Sequence, residues 1–318
     1  MFEKVINTMM NKIRCVEATN MKKQEWELDA SKLTVENLIG FGGFGAVYTG
    51  LYNDKQVAVK VFDLRDGKKN SIEKKQLMEE VFMQEVSIWC NLQHSNIAEF
   101  IGAIKKKNMS KIKIKCQKGA KVLGINGYCC IVVEYVGGGT LQSYLSKHTI
   151  LKKKLPLDTT IQLALDVAKG LSYIHSNKIA HRDVKTENLL VDKTGRVKII
   201  DFGISSKFYS MVGTSGTMGY MAPEVLSDSS YDHKCDVYSF AICLWEMYTC
   251  LDPYPEHISH SKISHQIYKD RRPEIPKCCP RALSDIMKKC WDVKPQNRPE
   301  MKEVVQMLVA IKTRRQQQ

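Results

Sequence analysis

The sequence predicts an α+β fold in which a small β-rich half precedes a larger α-rich half. Three observations lead there. Short β-type runs split by glycines occupy the chain before residue 140, helical spacing of apolar residues dominates after it, and Gly137-Gly138-Gly139 sits near the join. The 318 residues suffice for one large or two medium domains with a buried core. Hydrophobic residues (43%) and charged residues (26%) stand in ordinary globular balance.

Residues 1–32 are polar and are expected to form an extension, partly helical, that packs or frays. From Leu33 the runs Leu38-Ile39, Ala46-Val47-Tyr48 and Val57-Ala58-Val59, parted by glycines and by Asn53-Asp54, predict a hairpin and a third strand. Alternation places Ala58 and Lys60 on one face of that strand and Val57 and Val59 on the other. Leu77, Val81, Phe82, Val86, Ile88, Trp89 and Leu92 share helical spacing, and residues 129–136 form another β run. Helical spacing then recurs over 140–148, 158–177, 232–250, 280–292 and 300–312, leaving 313–318 as a tail. The polar stretches 64–76 and 105–121 read as loops inserted between elements of the small half.

Lys and Arg outnumber Asp and Glu by 48 to 34, a net charge of +14. Eight lysines and no acid fall within 105–121, so the charge is concentrated rather than spread over a nucleic-acid face, and zinc-finger and RNP signatures are missing. Segment 105–121 is either a solvated loop or a contact for an anionic surface, the latter screened at physiological salt. The 11 cysteines include no CxxC, which points to reduced thiols in a cytoplasmic protein. No run of 18 apolar residues predicts a membrane span, and residues 1–14 lack the apolar core of a secretory signal. Phe at position 2 and a glutamine end argue against lipid anchors.

Gly40-x-Gly42-x-x-Gly45-x-Val47 lies in the first hairpin, where glycines let backbone approach phosphates. A strand follows instead of a helix, which argues against a dinucleotide fold. Lys60 ends Val57-Ala58-Val59-Lys60, and a lysine on a buried strand calls for a compensating negative charge. Glu79, Glu80 and Glu85 compete for that role. Glu85 lies in the apolar stretch Phe82-Met83-Gln84-Glu85-Val86 and is expected to point inward, with the other two solvated.

Farther on come His181-Arg182-Asp183-Val184-Lys185-Thr186-Glu187-Asn188, Asp201-Phe202-Gly203 after a β-like run, and Ala222-Pro223-Glu224. In this order, after a glycine loop and a VAVK strand, they match the protein-kinase signature set. The sequence thus resembles the eukaryotic protein-kinase superfamily over about residues 33–312. The resemblance implies a bilobal fold, with a five-stranded sheet and one helix (33–136), then a helical lobe (137–312), and ATP held between them. It also implies transfer of the γ-phosphate of ATP to Ser or Thr hydroxyls of protein substrates. Such transfer is mostly positioning and charge neutralisation.

Residue by residue, the resemblance makes Asp183 the group that accepts or orients the acceptor hydroxyl's proton and Lys185 a neutraliser of the γ-phosphate. Lys60, held by Glu85, anchors the α- and β-phosphates. Asn188 and Asp201 supply hard oxygens for Mg²⁺, or Mn²⁺. Nucleotide contacts are expected from Ile39, Gly40, Gly42, Gly43, Gly45, Val47, Ala58, Val133, Glu134 and Val136, with Val133 as gatekeeper and 134–136 as hinge. Asp236 looks like the buried brace of the catalytic loop, Arg298 like the partner of Glu224, and Arg182 like an arginine switched by phosphorylation at Ser210, Thr214 or Ser215. Lys185 and Thr217 point to Ser/Thr specificity. Cys290-Trp291 with Arg298-Pro299 is similar to the tyrosine-kinase-like group. Trp26 in Glu25-Trp26-Glu27-Leu28-Asp29, Gly213–Met221 and Arg272–Pro276 resemble plant Raf-like kinases, which are classed with mitogen-activated protein kinase kinase kinases. Ala241, where a glycine is usual, and the basic 105–121 segment depart from that pattern.

Overall fold

The structure is a computed structural model and describes residues 26–42, 45–62, 72–115, 129–208, 211, 215–227, 230–254, 259–268 and 270–317. The chain divides into two compact units, one of residues 1–93 and 98–135, the other of residues 94–97 and 136–318.

The first unit holds a six-stranded sheet ordered β4-β6-β3-β2-β1-β5. Its strands are β1 (Leu33–Gly42), β2 (Gly45–Tyr52), β3 (Lys55–Phe62), β4 (Phe100–Ile104), β5 (Lys113–Ile114) and β6 (Cys129–Glu134). All neighbours are antiparallel except β5, which runs parallel to β1. Asn53 and Asp54 join β2 to β3 with φ of 47° and 61°, the two left-handed residues that a twisted two-residue hairpin demands. Val35, Tyr48, Val57, Val59 and Val132 lie in one buried cluster, so Val47, Ala58 and Lys60 share the opposite face.

Helix α1 (Ile72–Trp89) buries Met78, Val81, Phe82, Glu85, Val86 and Trp89 at helical spacing, and Trp89 donates its indole N–H to Ala98 O at 2.8 Å. Glu79 is exposed as expected, whereas Glu80 is half-buried.

Residues 26–32, the described end of the expected extension, take the packed alternative: Leu28 N–H donates to Ala103 O (3.0 Å) and Ala103 N–H to Trp26 O (2.9 Å), so the segment pairs along the outer edge of β4. Two expectations need correction here. The sheet has six strands rather than five, because Lys113–Ile114 join the opposite edge. The front of the lysine-rich stretch is therefore structured, with a 3₁₀ helix at Lys106–Lys111 and with Met109 and Ile112 buried in the core. Residues 116–128, like 1–25 and 63–71, lie outside the described residues.

The second unit is built around α3 (Leu157–Ser176) and α5 (Lys234–Thr249). Helix α5 is buried on nearly every side, as an interior helix is. It ends at Cys250 in the left-handed conformation (φ 56°), whose N–H returns to Glu246 O. Around these lie α2 (Leu141–Ile150), α4 (Pro223–Leu226), α6 (His260–Tyr268), α7 (Arg281–Cys290) and α8 (Met301–Gln316). Thr140 caps α2 by accepting from Ser143 N–H at 3.1 Å, and Glu300 with Glu303 forms a capping box on α8. Helices α4 and α6 were not anticipated, and α8 runs through the expected 313–318 tail to Gln316, where Arg315 pairs with Asp158 at 2.7 Å.

Two small antiparallel pairs carry the signature loops. β7 (Ile179–Ala180) pairs with β10 (Ser206–Lys207), and β8 (Leu189–Val191) pairs with β9 (Val197–Ile199). Residues 181–188 leave β7 and enter β8, and residues 201–203 leave β9 and lead to β10. Residues 94–97 belong with this unit because Ile199 N–H donates to Asn96 O (2.9 Å) and Asn96 Nδ2 to Val197 O (2.9 Å). Among the described residues, no helix is long and apolar enough to cross a membrane.

Candidate active site

In the first unit, Lys60 is 8% exposed and Glu85 fully buried, and the lysine Nζ donates to both carboxylate oxygens at 2.9 Å. Val47 is register partner of Lys60, and Val133 of Ala58, so these residues share a face with the ion pair. At Gly45 an added Cβ would lie 1.9 Å from Val61 O, so only glycine allows β2 this approach. Gly40 and Gly42 lie at the exposed end of β1, Ile39 sits at a register shift beside them, and Phe41 is 76% exposed. Gly43 lies outside the described residues. Glu134 is half-buried at the end of β6, and its N–H donates to Glu99 O at 2.9 Å. Val136, the last residue expected in the hinge, is buried and falls in the second unit.

In the second unit, Asp183 is the centre of a closed polar set. Thr217 Oγ1 donates to its Oδ1 at 2.7 Å, Lys185 Nζ reaches its Oδ2 at 3.0 Å, and Lys185 also donates to Thr217 Oγ1 at 2.7 Å. Asn188 Nδ2 donates to both Asp183 O and Asp183 Oδ2 at 2.9 Å. Asn188 thereby spends its amide N–H groups on the loop, leaving its carbonyl oxygen as an acceptor. Ile200 N–H donates to Asn188 O at 3.0 Å, which sets Asp201 beside Asn188 along the chain direction. Asp201 has φ of 66°, and its Oδ1 accepts from Gly203 N–H at 3.3 Å.

Asp236 holds this loop from below. Its Oδ2 accepts from His181 N–H (2.8 Å) and meets His175 Nε2 (2.9 Å), while its Oδ1 accepts from Arg182 N–H (2.8 Å). Burial pushes its pKa upward, but the His175 contact, nearby histidines and the amide hydrogen bond outweigh that and keep the carboxyl below its ordinary value. Arg182 adopts φ of 70°, a strained conformation for a side chain of its size, which the two amide bonds to Asp236 maintain. His181 accepts at Nδ1 from Asp183 N–H (3.3 Å), so Nε2 carries the proton and donates to Ile200 O (3.0 Å). Its ring meets the buried Phe202 edge-on at 5.2 Å. Gly138 completes the frame: an added Cβ there would sit 2.1 Å from Val191 O.

Arg298, 2% exposed, makes a bidentate pair with Glu224 (Nη1–Oε1 2.6 Å, Nη2–Oε2 2.9 Å). Of the three hydroxyls expected to be phosphorylated, Ser215 is half-buried, and Ser210 and Thr214 lie outside the described residues.

Sequence reasoning missed two groups in this region. Tyr231 receives the Arg182 guanidinium. Glu246, 6% exposed, accepts from Tyr220 (3.1 Å) and Thr186 (3.3 Å) through Oε1, tying the catalytic loop to the segment before Ala222. Burial pushes its carboxyl well above the usual range. Its only sequence signal was a carboxylate inside the apolar run Leu244–Met247.

The chain was compared with known proteins. A family model described as "Protein tyrosine and serine/threonine kinase" matches residues 33–308. Serine/threonine-protein kinase STY17 of Arabidopsis thaliana is 34% identical over 297 residues, 92% of this chain and 47% of its own length. Serine/threonine/tyrosine-protein kinase HT1 of the same plant is 34% identical over 295 residues, 92% of this chain and 70% of its own length. Dual specificity protein kinase shkC of Dictyostelium discoideum is 36% identical over 291 residues, 89% of this chain and 52% of its own length. The chain thus spans about half the length of several curated relatives it matches. These likenesses agree with the plant Raf-like resemblance read from the residues. With a family model matching residues 33–308, most of its length, the chain belongs to the protein tyrosine and serine/threonine kinase family.

Proposed function

We propose that the chain transfers the γ-phosphate of ATP to Ser and Thr hydroxyls of protein substrates in intracellular signalling. The observation that carries this reading is the Asp183–Lys185–Thr217 set, in which a carboxylate, an ammonium and a hydroxyl lie within 3.0 Å of one another. Asp183 Oδ1 and Oδ2 are aimed by Thr217 and Asn188, so the carboxylate is preorganised to receive an acceptor hydroxyl's proton. Lys185 supplies positive charge beside it, which favours the equatorial oxygens of a loose phosphoryl transition state. In the first unit, Lys60 presents an ammonium fixed by Glu85, suited to α- and β-phosphates. Within the first unit, the apolar residues Ile39, Val47, Ala58 and Val133 suit an adenine ring, the amides at 134 and 135 its polar edge, and Gly40, Gly42, Gly43 and Gly45 the phosphates.

Asn188 Oδ1 and the Asp201 carboxylate are hard oxygen donors and fit Mg²⁺, or Mn²⁺. That ion, when bound, neutralises charge on the transferring phosphate. We assign residues 33–312 as the catalytic domain. The nine described cysteines form no disulfide, which supports the cytoplasm as its compartment. The exposed Lys111, Lys113 and Lys115 support a secondary contact of segment 105–121 with an anionic surface, tested by salt-sensitive vesicle binding that neutralising these lysines should abolish.

The test of the specificity uses peptides identical except for a Ser, Thr or Tyr acceptor. Transfer to Ser and Thr should exceed transfer to Tyr and weaken in Thr217→Ala. Equal or greater transfer to Tyr would overturn the assignment.

A further inference from the structure

Arg182 precedes the reacting aspartate, and the sequence expects it to bind a phosphate added to the activation segment. Its guanidinium already has partners. Nε–H donates to Tyr231 Oη at 2.9 Å, Nη2 donates to the same oxygen, and Nη1 donates to Ile204 O at 3.3 Å. The guanidinium carbon also lies 5.4 Å from the Tyr231 ring centroid. Tyr231 is buried, and its own N–H donates to the O of the buried Met211 at 3.2 Å. Burial raises the phenol to about 12, against the lowering effect of Arg182, so the hydroxyl stays neutral at physiological pH. At its other end, Arg182 is fixed by Asp236 Oδ1 and by its left-handed backbone.

We infer that Tyr231 is a positioning residue for phosphoryl transfer: its hydroxyl holds Arg182, and through Arg182 the catalytic loop at Asp183 and the segment at Ile204, as a loop phosphate otherwise would. A single phenol oxygen takes two N–H bonds from one guanidinium, the fork that a phosphate would fill bidentately. The described contacts use three of the five guanidinium N–H donors, so phosphorylation adds to an arrangement that already exists. The consequence is activity before any loop phosphorylation.

The inference rests on the kinase reading, and one experiment separates the two. Wild type, Tyr231→Phe, Arg182→Ala and the double variant are treated with phosphatase, and phosphotransfer is measured as kcat and as KM for ATP. Amide hydrogen exchange is followed at 181–183 and 204–208. Phenylalanine keeps the ring over the guanidinium and deletes only the oxygen. Tyr231→Phe is expected to lower kcat about tenfold, the loss of a hydrogen bond to a charged group, with KM for ATP within about twofold of wild type. It should add nothing further in the Arg182→Ala background, and exchange at both segments should quicken. Unchanged kcat in the dephosphorylated Tyr231→Phe protein, or losses that multiply in the double variant, would overturn the inference. Should phosphatase-treated wild type transfer no phosphate while the phosphorylated protein does, the inference is overturned and the kinase reading stands. Should neither form transfer any, the kinase reading fails, and exchange alone decides: quickened exchange supports the latch and unchanged exchange refutes it.

Discussion

Replacing Trp26 with alanine should weaken the protein and its phosphotransfer together. Trp26 is 7% exposed, and its ring meets Phe82 of α1 edge-on at 6.1 Å. Phe82 in turn meets Phe62 at 5.6 Å, and the Lys60 Nζ lies 5.4 Å from the Phe62 ring. An unbroken run of aromatic contacts therefore links the segment before β1 to the helix that carries Glu85. Burying a Trp removes about 150–250 Å² from water. At about 25 cal/mol per Å² that is about 4–6 kcal/mol, an upper bound because denatured chains are partly collapsed. Large-to-small core changes of this kind cost about 3–5 kcal/mol, of which the edge-on pair with Phe82 supplies about 1 kcal/mol. The indole N–H of Trp26 is buried without a hydrogen-bond partner among the described residues, so Trp26→Phe should retain most of the stability. Urea denaturation gives the free energy, and initial rates at a temperature where each variant is folded give kcat. If Trp26 supports the placement of α1, the folded alanine variant shows a lowered kcat, and the phenylalanine variant recovers it. A midpoint within error of wild type, or full kcat in the folded alanine variant, would refute the reasoning.

Other substitutions test other parts of the frame. Glu85→Gln removes the charge that holds the buried Lys60 and should lower kcat at least tenfold, with a stability loss of about 1.5–3 kcal/mol by denaturant titration. Arg298→Ala leaves Glu224 without its bidentate partner and should cost about 3–5 kcal/mol in thermal or urea unfolding, with Arg298→Lys a poor rescue because it lacks the planar fork. Glu246→Gln should flatten a pH dependence. Burial raises the folded pKa of Glu246, so the folded state keeps a proton that the unfolded state releases. Its contribution is then fully present below the ordinary glutamate value and is lost as pH rises toward the folded pKa, by up to about 1.4 kcal/mol per pH unit. Denaturation across that range should show wild type losing stability relative to Glu246→Gln as pH rises; parallel curves would refute a neutral buried carboxyl.

The parts of the site most legible in the sequence were those whose chemistry dictates residue type. Asp183, Asn188 and Asp201 stood out because the proposed proton transfer and hard cation call for oxygens at fixed places along two loops. Glu85 could be separated from Glu79 because its apolar neighbours place it on the buried stripe of α1. Asp236 and the Arg298–Glu224 pair came through the resemblance, and the hydrogen bonds now supply their physical reason. What escaped notice depends on features with no residue code. Edge pairing by Trp26–Leu28 and by Lys113–Ile114 uses backbone N–H and C=O groups, which any residue offers, so a polar lysine-rich stretch concealed a strand. Helix α6 carries buried Ile263 and Ile267 amid polar residues, too thin a stripe to set a period. Tyr231 is a single aromatic in the polar stretch 227–234, and its partner is 49 residues away, so no spacing announces it.

The most direct test of the kinase assignment is phosphate transfer from labelled ATP with Mg²⁺, to a generic basic protein and to the chain itself, comparing wild type with Asp183→Asn and identifying the phosphoamino acids. The expected result is phosphoserine and phosphothreonine from wild type and their loss in the variant, whose asparagine cannot take a proton at the position that Thr217 and Lys185 define. A folded wild type that binds ATP yet transfers nothing, even after activation-segment phosphorylation, would contradict the account and leave a nucleotide-binding scaffold in its place.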